Sequence, residues 1–87
     1  MRQFKTSCKD SKTGHEMVLS ECSFNMAVDW LEREVMQKYG MEVVSTTGTR
    51  GSGIQMLCLG RWNETENYYE DTIAYYYDED RGYLMKE

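Results

Sequence analysis

The 87-residue sequence contains no proline, one histidine and no apolar run long enough to cross a bilayer. A transmembrane helix needs about 20 consecutive apolar residues. The first residues also lack the apolar stretch of about 7–15 residues that marks a secretory signal. We therefore expect a cytoplasmic protein with no membrane partner. Because no linker interrupts the chain and its length supports one core only, we expect a single domain over residues 1–87.

The sequence has few of the residues that build catalytic or metal centres. Its three cysteines, Cys8, Cys22 and Cys58, have spacings that fit neither a disulfide framework nor a zinc site. The single histidine, His15, could pair only with Cys8 across a hairpin, and no spacing selects two carboxylates for acid–base chemistry. We expect a non-enzymatic protein with no cofactor and no bound metal.

The negative charge is concentrated in the C-terminal third of the chain. The formal net charge is −5, yet residues 1–62 carry eight Lys or Arg against seven Asp or Glu, whereas residues 63–87 carry two against eight. An acidic protein is repelled by phosphate backbones at long range. A basic surface, or one that normally holds DNA, attracts it instead.

The N-terminal half predicts two strands and a helix. Strands are expected at residues 3–8 and 15–21, with a polar loop between them. Ser23 is typical of an N-cap for a helix from Phe24 to Tyr39, and Gly40 is typical of its end. Spacings of three and four residues predict an apolar stripe that faces a sheet. The stripe comprises Phe24, Ala27, Val28, Leu31, Val35 and Tyr39.

The C-terminal half predicts four further strands, at residues 41–46, 54–62, 71–77 and 82–86. Gly48–Gly53 is expected to form a flexible loop, and residues 63–67 a turn. The element order is then ββαββββ. It predicts an α+β fold in which a single helix packs on one face of a mainly antiparallel sheet.

Six of the seven tyrosines lie in the acidic third. In a strand, Tyr76 points away from Tyr75 and Tyr77, so at least one tyrosine must face away from the helix. Tyrosine is enriched at protein interfaces because it offers large contact area at low entropic cost. The partner-binding residues predicted here are Tyr68, Tyr69, Glu70, Asp71, Tyr76, Asp78, Glu79 and Asp80. The alternative is that these tyrosines are ordinary strand formers on a half-exposed sheet.

Two smaller features add candidate residues. Trp30 lies on the flank of the helix stripe together with Met26 and Arg33, a composition found at interface hot spots; the alternative is a wide buried face that includes Trp30. Arg50 is the candidate ligand residue of the glycine-rich loop. That loop lacks the Lys-Ser/Thr pair and the following helix of a phosphate-binding loop.

We expect a small acidic binding protein that inhibits or modulates a macromolecular target with a basic or nucleic-acid-binding surface. It would act either as a DNA mimic or by blocking an interface. A short acidic chain rich in Met and Tyr and free of Pro is typical of bacteriophage accessory proteins. Such a protein would act in the host cytoplasm, on a host enzyme or a defence protein.

Two other functions stay open. Single-stranded nucleic acid would stack on the tyrosines while basic residues of the N-terminal hairpin, Arg2, Lys5, Lys9 and Lys12, follow the backbone. A nucleotide-sequestering module would use the Gly48–Gly53 loop and an aromatic pocket. Exposed sheet edges also predict a homodimer.

Overall fold

The computed structural model describes residues 8–9, 14–49 and 53–87, with the backbone alone for Cys8, Lys9 and Thr49. Predicted strand residues 3–7, loop residues 10–13 and loop residues 50–52 lie outside the described residues. The elements of the described part follow the predicted order ββαββββ. The α+β fold, with one helix packed on an antiparallel sheet, is confirmed.

All the strands belong to one antiparallel sheet. They are β1 (Cys8–Lys9), β2 (Glu16–Leu19), β3 (Glu42–Thr49), β4 (Ile54–Asn63), β5 (Tyr68–Asp78) and β6 (Tyr83–Lys86). Their spatial order is β1-β2-β6-β5-β4-β3. The two longest strands, β4 and β5, form a hairpin in the sheet, with β3 beside it as an edge strand.

The helix, named α1 here, begins with an α-helical part (Phe24–Leu31), continues through a π-helical turn (Glu32–Met36) and ends with one α-helical turn (Gln37–Tyr39). As predicted, the Ser23 side chain accepts a hydrogen bond from the backbone N–H of Met26. Gly40 ends the helix in the left-handed region at φ 65°, and the Met41 N–H donates to the Met36 carbonyl. No helix in the described residues has the length and apolar character to span a membrane.

The π-helical turn explains why Tyr39, a member of the predicted stripe, is exposed. Ala27, Leu31 and Val35 are buried as expected, but Tyr39 is 54% exposed. A π turn closes its hydrogen bonds over five residues rather than four. The residues after Val35 therefore rotate away from the line of the preceding α-helix, and Tyr39 faces solvent.

The core lies between α1 and one face of the sheet. The residues of the sheet that pack there are Val18, Leu19, Leu57, Leu59, Tyr75, Tyr77 and Leu84. Leu31, Leu59 and Leu84 are fully buried, and burying each of them contributes about 1.5–3 kcal/mol to the free energy of unfolding. Tyr77 also donates a hydrogen bond of 2.7 Å to the Cys22 carbonyl, which ties the chain before α1 to the sheet.

The other face of the sheet is apolar and does not contact α1. Cross-strand pairing places Met17, Met56, Tyr76 and Met85 in one row across four strands. Met85 is buried, whereas the other three are half-buried. The prediction that at least one of these tyrosines faces away from the helix is confirmed: it is Tyr76, since Tyr75 and Tyr77 belong to the core.

Several predicted boundaries are wrong. Lys9 belongs to β1 rather than to a loop, and β2 stops at Leu19 because the chain turns at Glu21, where φ is +55°. β3 continues to Thr49, with Gly48 paired to Gln55, so the predicted loop does not begin at Gly48. The start of β5 lies three residues before the predicted Asp71.

Three β-bulges interrupt the described sheet. One lies in β3 between Val43 and Ser45, a second lies between Leu59 and Arg61 of β4 and their partners on β5, and a third lies in β2 between Met17 and Leu19. At the second bulge Asp71 adopts the left-handed region, with φ at 54°. A β-bulge bends its strand and increases its twist. The part of the hairpin beyond it is therefore set at an angle to the rest of the sheet.

Candidate functional site

The predicted partner-binding residues do not form one surface. Tyr68–Asp71 lie near the loop that joins β4 to β5, whereas Asp78–Asp80 lie at the opposite end of β5. Asp71 and Asp78 are seven residues apart, which corresponds to about 20 Å along a strand. Tyr76 lies between the two ends, on the face away from α1. The predicted acidic residues thus fall into two groups separated by the length of the strand.

The part of the β4–β5 hairpin beyond the bulge, residues 61–71, is called the hairpin tip. Trp62 pairs across the strands with Tyr69, and their rings meet edge to face with centroids 5.0 Å apart. Tyr68 pairs with Asn63 and therefore points to the other side of the hairpin. Trp62 is 45% exposed and Tyr68 is 50% exposed. The tip thus presents one large exposed aromatic ring on each side.

Local sequence explains how the tip folds. The turn spans Glu64–Asn67; Asn67 has a φ of 62°, which asparagine tolerates better than most residues. Asn63 closes the turn with two hydrogen bonds. Its carbonyl accepts one from the Asn67 N–H, and its side-chain oxygen accepts one from the Glu66 N–H. The Asn63 amide also donates to Glu70 across the strands. These bonds hold the aromatic side chains in fixed register.

The tip is strongly acidic. Residues 61–71 contain four carboxylates and one arginine, and Arg61 is paired with Asp71. Glu42 on β3 adds a fifth carboxylate, because the Tyr69 hydroxyl donates a hydrogen bond to it. This hydrogen bond is the main cause that raises the pKa of Tyr69, followed by desolvation and by the negative charge of Glu42. The exposed aromatic rings are therefore surrounded by negative charge.

Trp62 and Glu42, together with the turn residues Glu64 and Glu66, belong to this surface but were not among the predicted partner-binding residues. Extending the strands outward from the Glu64–Asn67 turn would have placed Trp62 opposite Tyr69. Starting β5 at Asp71 hid that pairing. Glu42 is 27 residues from Tyr69 in sequence, and no local pattern connects the two.

At the other end of β5, one of the three carboxylates is buried in the fold. Asp78 is 8% exposed, and its carboxylate accepts hydrogen bonds from the N–H groups of Asp80 and Arg81. Glu79 accepts a hydrogen bond of 2.7 Å from the Gln55 side chain. Asp80 is exposed. Asp78 therefore has little surface left for a partner, although it was predicted as a partner-binding residue.

The remaining predicted residues lie elsewhere. Met26 and Trp30 are half-buried against the core, and with exposed Arg33 they line a shallow groove beside α1. Tyr76 stacks on His15 with centroids 4.9 Å apart. The proposed ligand residue Arg50 lies outside the described residues. So do the predicted nucleic-acid contacts Arg2, Lys5 and Lys12, and the side chain of Lys9.

Of the Cys8 and His15 pair considered for catalysis, the structure describes His15 and the backbone of Cys8. The backbone of Cys8 pairs with Met17, two residues beyond His15. Among the described residues, no three Cys, His, Asp or Glu side chains are grouped so that they could hold a metal ion.

No family model matches the chain, and searches of curated proteins and of solved structures also find no significant match.

Proposed function

We propose that the protein is a non-enzymatic binding protein that attaches to a basic surface of a macromolecular partner through the hairpin tip. The observation that supports this function is the combination of exposed Trp62 and Tyr68 with surrounding carboxylates. Trp and Tyr are the residues most often found at interface hot spots. Carboxylates speed the approach of a positively charged partner and align it.

The partner class follows from the charge of the tip and of the whole chain. A surface that normally binds nucleic acid is basic, so an acidic protein can occupy it and inhibit the protein that carries it. The composition of the chain extends the proposal to a bacteriophage accessory protein that acts on a host enzyme or defence protein in the host cytoplasm.

Two modes of binding fit the tip, and they differ in which residues dominate. If the carboxylates stand in for phosphates, removing charge weakens binding most and the affinity falls steeply with salt. If the tip covers an interface, truncating the aromatic rings weakens binding most. The exposed rings on both sides of the hairpin favour the second mode.

Affinity capture from a nuclease-treated lysate of the source or host cell tests the proposal with four baits. The first bait is the wild type, and the second is the aromatic double variant, Trp62→Ala with Tyr68→Ala. The third combines Glu64→Gln, Glu66→Gln and Glu70→Gln, and the fourth is the control, Tyr83→Ala. Tyr83 is also partly exposed, but it lies at the start of β6, beside Asp78 at the opposite end of β5 from the tip. We expect a basic protein that the wild type and the control retain and that the aromatic double variant loses.

The outcome of the capture separates the remaining functions. Equal retention of the partner by the wild type and the aromatic double variant would show that the tip is not the contact surface. Recovery of nucleic acid alone from an untreated lysate would favour the single-stranded nucleic-acid function. The thermal unfolding temperature of each bait is compared with that of the wild type. A variant that loses the partner but unfolds at the same temperature has a changed surface and an intact fold.

A further inference from the structure

The face of the sheet that does not contact α1, called the open face, carries almost no charge. Its central row crosses five strands and consists of Met17, Met85, Tyr76, Met56 and Thr47. The neighbouring rows add Tyr83, Asp78, Ile54, Ala74, Cys58 and Ser45. In a chain of which 29% is charged, the one charged side chain among these residues is Asp78. It is 8% exposed, accepts two backbone hydrogen bonds and lies 3.9 Å from Arg81 at the border of the face.

The central strands are apolar on both faces. An antiparallel sheet with one face in water normally alternates apolar residues toward the core with polar residues toward solvent. Here Met56 and Tyr76 on the open face alternate with the core residues Leu57 and Tyr75. Within the described part of the chain, α1 is the one helix, and it covers the opposite face. An apolar sheet face is normally buried against another layer, so the open face requires an occupant.

The open face has the size of an interaction surface. It extends over five strands, from β2 to β3, and over residues 74–78 along β5. Strands about 4.8 Å apart and residues about 3.3 Å apart give it a flat area of roughly 400 Å². The largest apolar patch on a typical monomer is of this size and is often functional. Two such faces bury about 800–1,000 Å² together, which is at the low end for specific complexes.

The charge pattern identifies the occupant as a second copy of the chain. The formal net charge is −5, so two copies repel each other through their acidic regions. Contact through the open face brings no exposed carboxylate of that face toward the second copy. A basic partner has no exposed carboxylate to pair with there, and it is attracted to the hairpin tip instead. The absence of charge therefore favours self-association at this face.

The residue types also suit contact between identical surfaces. In a dimer with two-fold symmetry the same patch meets itself, so it must be complementary to itself. Three of the five residues in the central row are methionines, Met17, Met56 and Met85. Methionine is unbranched and adapts its shape to irregular gaps. Tyr76 adds one large ring to the row, and tyrosine is enriched at interfaces.

We propose that two copies of the protein pack their open faces together and form a symmetric sandwich of two sheets, with the central rows in the middle of the interface. This contact differs from pairing between sheet edges, in which the backbone of β3 would bind another strand. Because of its small area, the dimer is weak, with a dissociation constant in the micromolar to millimolar range. The hairpin tip lies outside the open face, so the dimer does not depend on the function proposed for the tip.

The first test follows the methyl signals of ¹³C-labelled methionine in the full chain from micromolar to millimolar concentration. Sedimentation equilibrium over the same range measures the average mass. We expect the mass to rise from one chain toward two, and the methyl signals of Met17, Met56 and Met85 to shift with it. The internal controls are Met26 and Met36, which pack against the core from the side of α1. Their signals should stay in place.

The second test compares two neighbouring threonines of β3. Both are exposed, but Thr47 pairs with Met56 on the open face, whereas Thr46 pairs with the core residue Leu57 and lies on the other face. Thr47→Glu should weaken the dimer several-fold, because it brings a charge to the border of the interface. Thr46→Glu adds the same charge beside it and should leave the dimer unchanged. Met56→Glu, at the centre of the face, should weaken the dimer at least tenfold.

The outcomes distinguish the possible occupants. A chain that stays monomeric at millimolar concentration would overturn the proposal. So would a dimer that Thr46→Glu and Thr47→Glu weaken equally, because that result indicates pairing at the β3 edge. In the monomer, the methyl groups of Met17, Met56 and Met85 should be accessible to a dissolved paramagnetic agent. Complete protection would show that the chain itself covers the open face, and would also overturn the proposal.

Discussion

The two ends of β5 carry similar acidic sequences but use them differently. At the hairpin tip, Glu64 and Glu66 are exposed beside uncovered aromatic rings. At the β5–β6 turn, Asp78 is buried and accepts two backbone hydrogen bonds, whereas Glu79 and Asp80 beside it are exposed. A carboxylate that accepts hydrogen bonds from its own chain stabilises the fold, whereas a solvated carboxylate remains able to meet a partner. Acidic composition alone therefore does not locate a binding surface.

The largest expected difference between the two ends is in stability. Asp78→Ala leaves two backbone N–H groups of the turn without their acceptor, so the free energy of unfolding should fall by about 2 kcal/mol. Glu64→Ala at the tip should change it by less than about 0.5 kcal/mol, because exposed side chains without partners contribute little. Urea unfolding of both variants measures the difference. Equal losses at the two ends would contradict the division into a structural end and a free end.

The tyrosines give a second, smaller contrast. Tyr77→Phe removes the hydrogen bond to the Cys22 carbonyl and should lower the free energy of unfolding by about 1 kcal/mol. Tyr68→Phe removes a hydroxyl from a half-exposed ring and should leave stability unchanged. Thermal unfolding of the two variants under identical conditions tests the pair. If Tyr68→Phe were the more destabilising change, the tip would be part of the folded core.

The smallest expected effect concerns pH. Burial is the main cause that raises the pKa values of Tyr75 and Tyr77 above the ordinary value for tyrosine. As the pH rises, these two hydroxyl groups therefore lose their protons in the unfolded chain before they do so in the folded protein. Stability should be unaffected below pH about 10 and should decline above it. Urea unfolding at a series of alkaline pH values measures the decline.

At the tip, an alkaline titration of the folded protein tests the hydrogen bond between Tyr69 and Glu42. Glu42→Gln removes the carboxylate that raises the pKa of Tyr69, so this phenol should ionise at lower pH than in the wild type. The absorbance of tyrosinate follows the change. Glu64→Gln is the control, because its carboxylate is not among the groups that raise the pKa of Tyr69. Identical titration curves for the wild type and Glu42→Gln would show that Tyr69 does not donate to Glu42.

The features that the sequence predicted correctly depend on local signals. Ser23 and Gly40 mark the ends of α1 because capping is decided within one helical turn. Likewise, the alternation of Tyr75, Tyr76 and Tyr77 assigns each ring to a face of the sheet. The order of the elements follows from such signals taken one at a time.

The features that the sequence did not predict depend on distant parts of the chain. Trp62 joins Tyr69 through the register of β4 and β5, and Glu42 reaches Tyr69 from a third strand. The exposure of Tyr39 follows from a π turn that the spacing of apolar residues does not reveal.

The bulge between Val43 and Ser45 determines how far another chain can add to the sheet. An edge strand offers unpaired N–H and C=O groups to any extended segment, and β3 contains neither proline nor lysine to oppose such pairing. The bulge breaks the regular row of these groups early in the strand. The regular stretch that remains is Ser45–Thr49, five residues of a strand of eight. A local irregularity thus shortens the row of groups that an added strand can use, at an edge that residue types alone leave open.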